Sequence, residues 1–263
     1  MAALTGRIAL VTGGSRGVGA ATVGALARAG ADVVVNCRNK VDRAERIARA
    51  ARELGVRALV TPADITDAEQ VGDMLARVRA ELGRLDVLVL NASGGMERDL
   101  VAGDPAYPMR VNRDGPLDLV RRAGPLMGPG SVVIHVTSHL AYLYGRVEQI
   151  PEYEPVAASK HAGEQALRAL VPELAAAGVR LAVVSGDLIE DTIVPQLMDR
   201  RRPGLIEARK RQAGSLPTTA DMADAIVRAA IEPLPSGQTL FVGGQDVILR
   251  YAQHDGDGKP PSE

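Results

Sequence analysis

The stretch RIALVTGGSRGVG, residues 7–19, decides how this chain is read. Its first half, Arg7–Thr12, is a short apolar run that reads as a buried strand. Its second half gathers glycines into a turn, and the segment behind it reads as a helix ending near Gly30. Glycine at such a turn lets the backbone approach a ligand closely, and the helix offers unpaired N–H groups and the positive end of its dipole. A tight turn alone would also explain three glycines. Their place between the first strand and the first helix makes a phosphate-binding turn the stronger reading. Gly13, Ser15, Arg16, Gly17, Val18 and Gly19 are therefore the first candidate binding residues.

Working outward, six more apolar runs follow: Asp32–Asn36, Val56–Thr61, Leu85–Leu90, Ser131–Val136, Arg180–Val184 and Thr239–Val242. Their near-continuous hydrophobicity points to parallel strands covered on both faces. Segments of helical period alternate with them, among them Val41–Leu54, Ala68–Leu82, Val156–Ala177 and Ala220–Ile231. Thr66 or Asp67, and Thr219, are the expected N-caps. The alternation predicts an α/β fold, a doubly wound parallel sheet in a single domain over residues 1–252. The tail from Gln253, QHDGDGKPPSE, is polar and rich in Gly and Pro, and is expected to be disordered.

Composition agrees. The 263 residues are 46% hydrophobic, enough for one large core. A net charge of −1 gives no reason to expect nucleic acid or an anionic membrane as a partner. The single cysteine, Cys37, excludes an internal disulfide and fits a reducing compartment. His135, His139, His161 and His254 lack metal-ligand spacing, so no metal is expected. No apolar run reaches membrane-spanning length and no secretory signal is evident, so the expectation is a soluble cytoplasmic protein.

The glycine turn Thr12-Gly13-x-x-x-Gly17-x-Gly19 is followed, in order, by Asp64-Ile65-Thr66, Asn91-Ala92-Ser93-Gly94, Asn112, Ser138, Ala158-Ser159-Lys160 and Gly243-Gly244. In this set the chain resembles the short-chain dehydrogenase/reductase family, from Thr5 to Gly244. The resemblance implies a Rossmann fold holding a nicotinamide dinucleotide. It places Asp64 and Ile65 at the adenine, Asn91, Ala92 and Ser93 along the cleft, and Lys160 on the nicotinamide ribose. Gly186 and, after a rearranged segment rich in acids, Thr192 would lie near the nicotinamide. A substrate lid over 193–212 and a homodimer or homotetramer are also implied.

The end of the second strand separates the two nicotinamide cofactors. A carboxylate there would bond the ribose diol of NAD and repel a 2′-phosphate. This chain has Asn36-Cys37-Arg38-Asn39-Lys40 and no acid, with Arg16 in the glycine loop. Two guanidinium groups suit a phosphate by charge and by fork geometry, which favours NADP(H).

Chemistry in the family combines a serine that polarises a carbonyl, a tyrosine acid, a lysine four residues later and an asparagine. Ser138, Lys160 and Asn112 are present, but the position four before Lys160 is Val156, which can neither give nor take a proton. The unusually long segment between Ser138 and Val156 carries Tyr142, Tyr144 and Tyr153, three of the five tyrosines. Tyr153 is the first candidate for a substitute acid. Pro155 suits a first helical turn and sets Tyr153 just outside it, so its ring direction is open. Tyr142, Tyr144 and His139 are weaker candidates.

The expected function is NADPH-dependent reduction of a carbonyl or quinone group on a small organic molecule, with the proton from another group or from the substrate. An inactive NADP(H)-binding sensor or scaffold, and chemistry redirected to elimination or isomerisation, are the alternatives. The basic runs at 200–202 and 209–211 read first as solvated helix faces and second as an attraction for an anionic substrate. Met198 reads as core.

Overall fold

Apolar runs become parallel strands here because a sheet covered on both faces has no solvent side for polar residues. In the computed structural model, which describes residues 2–252, seven runs form one sheet. They are β1 (Ile8–Val11), β2 (Asp32–Cys37), β3 (Ala58–Pro62), β4 (Val87–Leu90), β5 (Val132–Ser138), β6 (Arg180–Gly186) and β7 (Gln238–Val242). All pairings are parallel, in the order β3-β2-β1-β4-β5-β6-β7. The fold is the expected single-domain doubly wound one, with strand ends shifted by no more than two residues. The tail predicted to be disordered lies outside the described residues.

Helices cover both faces. The first three strands are followed by α1 (Gly17–Arg28), α2 (Val41–Glu53) and α3 (Ala68–Leu82). Between β4 and β5 come α4 (Arg98–Gly103), α5 (Tyr107–Met109), a π-helical turn (Arg110–Asp114) and α6 (Gly115–Ala123). Next are α7 (His139–Tyr142), α8 (Glu154–Ala169) and α9 (Val171–Ala176). After β6 stand α10 (Ile193–Arg201), α11 (Leu205–Ala213) and α12 (Thr219–Ile231), and α13 (Gln245–Ala252) follows β7.

Alternate strand residues feed two cores. Val11, Val33 and Val35 pack with Leu26 of α1, Ala48 of α2 and Ile226 of α12. Leu10, Val34 and Leu88 pack with Val78 of α3, Leu119 of α6 and Leu167 of α8. Each fully buried aliphatic side chain contributes about 1.5–3 kcal/mol.

Two expectations about helix ends change. Val156–Ala177 is not one helix but α8 and α9, because Pro172 has no N–H to continue the hydrogen-bond ladder. Helix α12 is capped by Thr218, not Thr219. Asp221 accepts from the Thr218 N–H at 2.7 Å, while the Thr218 hydroxyl accepts from the Asp221 N–H at 3.3 Å. Of the pair Thr66 and Asp67, Asp67 caps α3, accepting from the Glu69 and Gln70 N–H groups at 3.0 and 3.1 Å.

The topology positions the site. From β1 the chain runs outward through β2 to β3, then returns to β4 on the other side of β1. Loops leaving β1 and β4 therefore diverge and open a crevice at the carboxyl ends of the strands.

Candidate active site

The glycine turn sits in that crevice, and Thr12 ties its two walls together. Its N–H donates to the Val89 carbonyl of β4 at 3.0 Å. Its hydroxyl oxygen accepts from the N–H groups of Asn91 and Ala92 at 2.9 and 3.0 Å, and the Asn91 amide returns a bond to the Thr12 carbonyl at 2.9 Å. Gly13 has φ +65°, a left-handed conformation that favours glycine. A side chain at Gly19 is impossible, since its Cβ would lie 2.3 Å from the Gly13 carbonyl oxygen. Helix α1 has Arg16 as its N-cap residue and, among the described residues, no side-chain cap, which leaves the N–H groups of its first turn turned to the glycine loop. This is a cradle for a phosphate group.

At the end of β2, Asn36 is buried and spent on structure. Its amide donates to the carbonyls of Thr61 and Ala63 at 3.1 and 3.0 Å, and its oxygen accepts from the Gly13 N–H at 3.4 Å. Cys37 is buried too, and burial pushes its thiol pKa up. Arg38 is thus the first exposed residue of this edge. It donates to the Tyr107 phenol oxygen at 2.9 Å and lies 3.9 Å from Asp64. Asp64 is held on its other oxygen by the Thr66 N–H and hydroxyl, at 2.9 and 2.8 Å.

The wall that carries Ser138 is built where β5 meets α8. Ser138 ends β5, and its hydroxyl oxygen accepts from the Ala141 N–H at 3.3 Å. The chain then loops out and returns at Tyr153, the residue just before α8, with Pro155 in the first turn as expected. Tyr153 is 8% exposed, and its phenol donates to the Ser138 hydroxyl oxygen at 3.2 Å. Burial raises the phenol pKa, and the Ser138 bond draws it partly back. Val156 packs with Tyr153, Ala157 and Met198 in a small apolar cluster.

Lys160 is buried on α8 and donates to the Val136 carbonyl at 3.2 Å. Desolvation lowers its pKa to about 8, against the opposing charge of Glu164. Asn112 sits in the π-helical turn, a feature common at functional sites. Its side-chain amide is fully committed, donating to the Gly94 carbonyl and to the Ser159 hydroxyl, both at 2.9 Å. It staples the β4 loop to α8 from behind the cleft wall.

One cleft of about 1680 Å³ joins these parts. Every predicted cofactor residue lines it, together with Ser138, Tyr153 and Val156. Asn112 does not. Gly186, at the end of β6, abuts Met222, whose sulfur would lie 2.7 Å from a side chain there. Thr192 is anchored by its hydroxyl to the Ile189 carbonyl at 2.9 Å, and its methyl lies over Gly17.

The other phenols of the loop go elsewhere. Tyr142 packs edge-on against Phe241 with ring centres 4.9 Å apart, and Tyr144 tilts against His161 at 5.8 Å. His139 is buried, with its ring nitrogens on the Ser185 hydroxyl and the Gly243 carbonyl, both at 2.9 Å. Burial lowers its pKa, which favours the neutral ring.

Sequence reasoning missed Tyr107, whose meeting with Arg38 spans 69 positions of chain and leaves no local signal. It also missed what the acids after β6 do. Asp187 and Asp246 clasp Arg209 of α11 at 2.7 and 2.8 Å, and Glu190 pairs with Lys210 at 2.5 Å. These two cations are neutralised within the chain, which removes them as an attraction for an anionic substrate. Among the described residues no cluster of His, Cys, Asp or Glu suits a metal, and no helix is long and apolar enough to cross a membrane.

Residues 7–201 match the family model described as short chain dehydrogenase. A 1-cyclohexenylcarbonyl-CoA reductase of Streptomyces collinus is 30% identical over 190 residues, 70% of this chain and 65% of the relative. Versicolorin reductase 1 of Aspergillus parasiticus is 32% identical over 170 residues, 64% of this chain and 63% of the relative. The chain thus spans a little under two thirds of the length of these curated relatives. Among solved structures, a short chain dehydrogenase from Burkholderia cenocepacia in complex with NADP is 29% identical, with a TM-score of 0.78. That match covers 92% of this chain and 98% of the other. The promiscuous reductase LugOII, which catalyses keto-reduction at C1 during lugdunomycin biosynthesis, is 26% identical with a TM-score of 0.74. It covers 95% of this chain and 100% of its own.

Proposed function

This chain is a member of the short-chain dehydrogenase family, and we propose that it is an NADPH-dependent reductase of a carbonyl or quinone group on a small organic molecule, with Tyr153 as the acid in place of Val156. The observation that carries the reading is the Tyr153 phenol, 3.2 Å from the Ser138 hydroxyl in the cleft that also holds the glycine turn. The uncapped start of α1 and the acid-free end of β2 support a phosphorylated dinucleotide, as does the NADP held by the similar Burkholderia protein. The similar reductase LugOII, named for keto-reduction, supports a carbonyl as the group reduced.

When bound, the dinucleotide supplies the hydride. The chain's own residues handle the oxygen. Ser138 accepts from Tyr153 and from the Ala141 N–H, which leaves its own O–H for the substrate carbonyl. As the carbonyl carbon gains the hydride pair, its oxygen becomes strongly basic and takes the Ser138 proton, while Ser138 takes the Tyr153 proton across their hydrogen bond. A phenol whose pKa is raised by burial keeps that proton at neutral pH until such a base forms. Lys160 would hold the ribose, with Asp64 and Ile65 at the adenine and Asn91, Ala92 and Ser93 along the cleft. Asn112 acts as a positioning residue. Helices α10 and α11 form the lid over the substrate end.

The test is NADPH consumption against a panel of ketones and quinones, comparing wild type with Tyr153→Phe. The variant is expected to lose about 10²–10⁴ in kcat while NADPH affinity holds. Full turnover by Tyr153→Phe sinks the assignment of the acid. Tight NADPH binding with no turnover by the wild type sinks the reductase reading in favour of a sensor or scaffold.

A further inference from the structure

The cofactor edge holds a residue that the glycine pattern does not announce. Tyr107 is 7% exposed, although it lies 69 positions from the arginine it meets. It is packed among Ile65, Ala92 and Val111 at the adenosine end of the cleft. Gly94 makes room for it, since a side chain there would lie 2.9 Å from the phenol oxygen. The ring is therefore held by packing before any ligand arrives.

Its oxygen meets one arm of Arg38 at 2.9 Å. A guanidinium only donates, so the phenol oxygen accepts and keeps its own O–H as a further donor. The Asp64 carboxylate, turned toward Thr66, forms an ion pair with the same arm at 3.9 Å, longer than a hydrogen bond, so it takes none of the other Arg38 donors. Glu97, whose charge also raises the phenol pKa, accepts from the Gly95 N–H at 2.8 Å. Arg38 is 39% exposed on its side chain and spends one N–H on the phenol. The rest of its fork remains for an incoming anion.

We infer that Tyr107 is a specificity-determining positioning residue: it orients Arg38 for the 2′-phosphate of the cofactor and adds its own hydroxyl to the same group. An exposed arginine loses much rotational freedom when it captures a ligand, and a fixed phenol removes part of that cost beforehand. The inference rests on the NADPH reading and is separable from it.

The experiment measures dissociation constants for NADPH and NADH by calorimetry in wild type, Tyr107→Phe, Arg38→Ala and the double variant. Adenosine 2′,5′-bisphosphate and AMP serve as short probes that need no substrate. Tyr107→Phe keeps the buried ring and is expected to lower the NADPH-over-NADH preference about tenfold, equivalent to about 1.4 kcal/mol. The bisphosphate-over-AMP preference falls with it. In the Arg38→Ala background the same change has a smaller effect, because the orienting role is gone and only the direct hydroxyl contact is left to lose. A preference untouched by Tyr107→Phe but lost in Arg38→Ala overturns the role of Tyr107 alone. A preference untouched by Arg38→Ala overturns the cofactor reading and this inference with it. Equal weakening of NADPH and NADH by Tyr107→Phe marks a purely structural residue and also overturns it.

Discussion

Val156 shows how a displacement of about one turn hides a neighbour of Ser138. Counting back from Lys160 finds no acid, and only the folded chain brings Tyr153 to Ser138. Pro155 made the start of α8 legible, yet the ring's direction depended on the long loop before it, whose closure no local rule encodes. Lys160 carries the clearest pH signature at this scale. Burial lowers its pKa to about 8, so its charge is present below that value and lost above it. Affinity for NADPH is therefore expected to fall as pH rises through about 8, and titration calorimetry of wild type against Lys160→Met reads it. Stability runs the other way. Between about 8 and 10.4 the unfolded chain binds a proton that the fold refuses, so the Lys160 contribution improves with pH, and melts of the same pair check the sign.

At the scale of elements, the segment after β6 is where sequence analogy was weakest and the structure most informative. The acids that interrupt the family pattern are anchors. Arg209 is only 12% exposed and is held by Asp187 below and Asp246 of α13 alongside. The bond to Asp246, with that to Asp187, raises its pKa further above the ordinary arginine value. Helix α11 is therefore fastened to both the end of β6 and the last helix. Arg209→Met leaves two carboxylates without their partner and is expected to cost about 2–3 kcal/mol, less than a fully buried pair because Asp246 is partly solvated. Urea unfolding measures that loss. The KM for a carbonyl substrate should rise while the NADPH dissociation constant stays within about twofold. An unchanged KM would separate α11 from the substrate end.

Across the whole molecule, both cores and the crevice follow from one alternation repeated seven times, which is why the fold was legible. The face of β5 beneath α8 is the exception to its apolar rule. His135 is 3% exposed, and neither ring nitrogen has a hydrogen-bond partner among the described residues. Burial, with the charges of Lys160 and Arg168, lowers its pKa to about 3. Below about 6.5 the unfolded chain gains a proton that the native state refuses, so stability falls with acid by roughly 1.4 kcal/mol per pH unit down to about 3. His135→Leu should flatten that acid limb in denaturant titrations at pH 7 and pH 5. An equally steep fall in the variant would assign the acid sensitivity to other groups.

From the sequence alone came the seven strands, helices α1, α2, α3, α8 and α12, the glycine turn and the acid-free edge at Arg38, because periodicity, glycine chemistry and charge act over a few residues. Ser138 and Lys160 were legible through the ordered motifs around them. The tertiary structure alone decided that Tyr153 reaches Ser138, that Tyr107 meets Arg38 and that Arg209 is clasped by two acids. Each of these joins side chains from separate elements. Their meeting depends on how helices and loops close over the sheet, and no short stretch of chain contains that information.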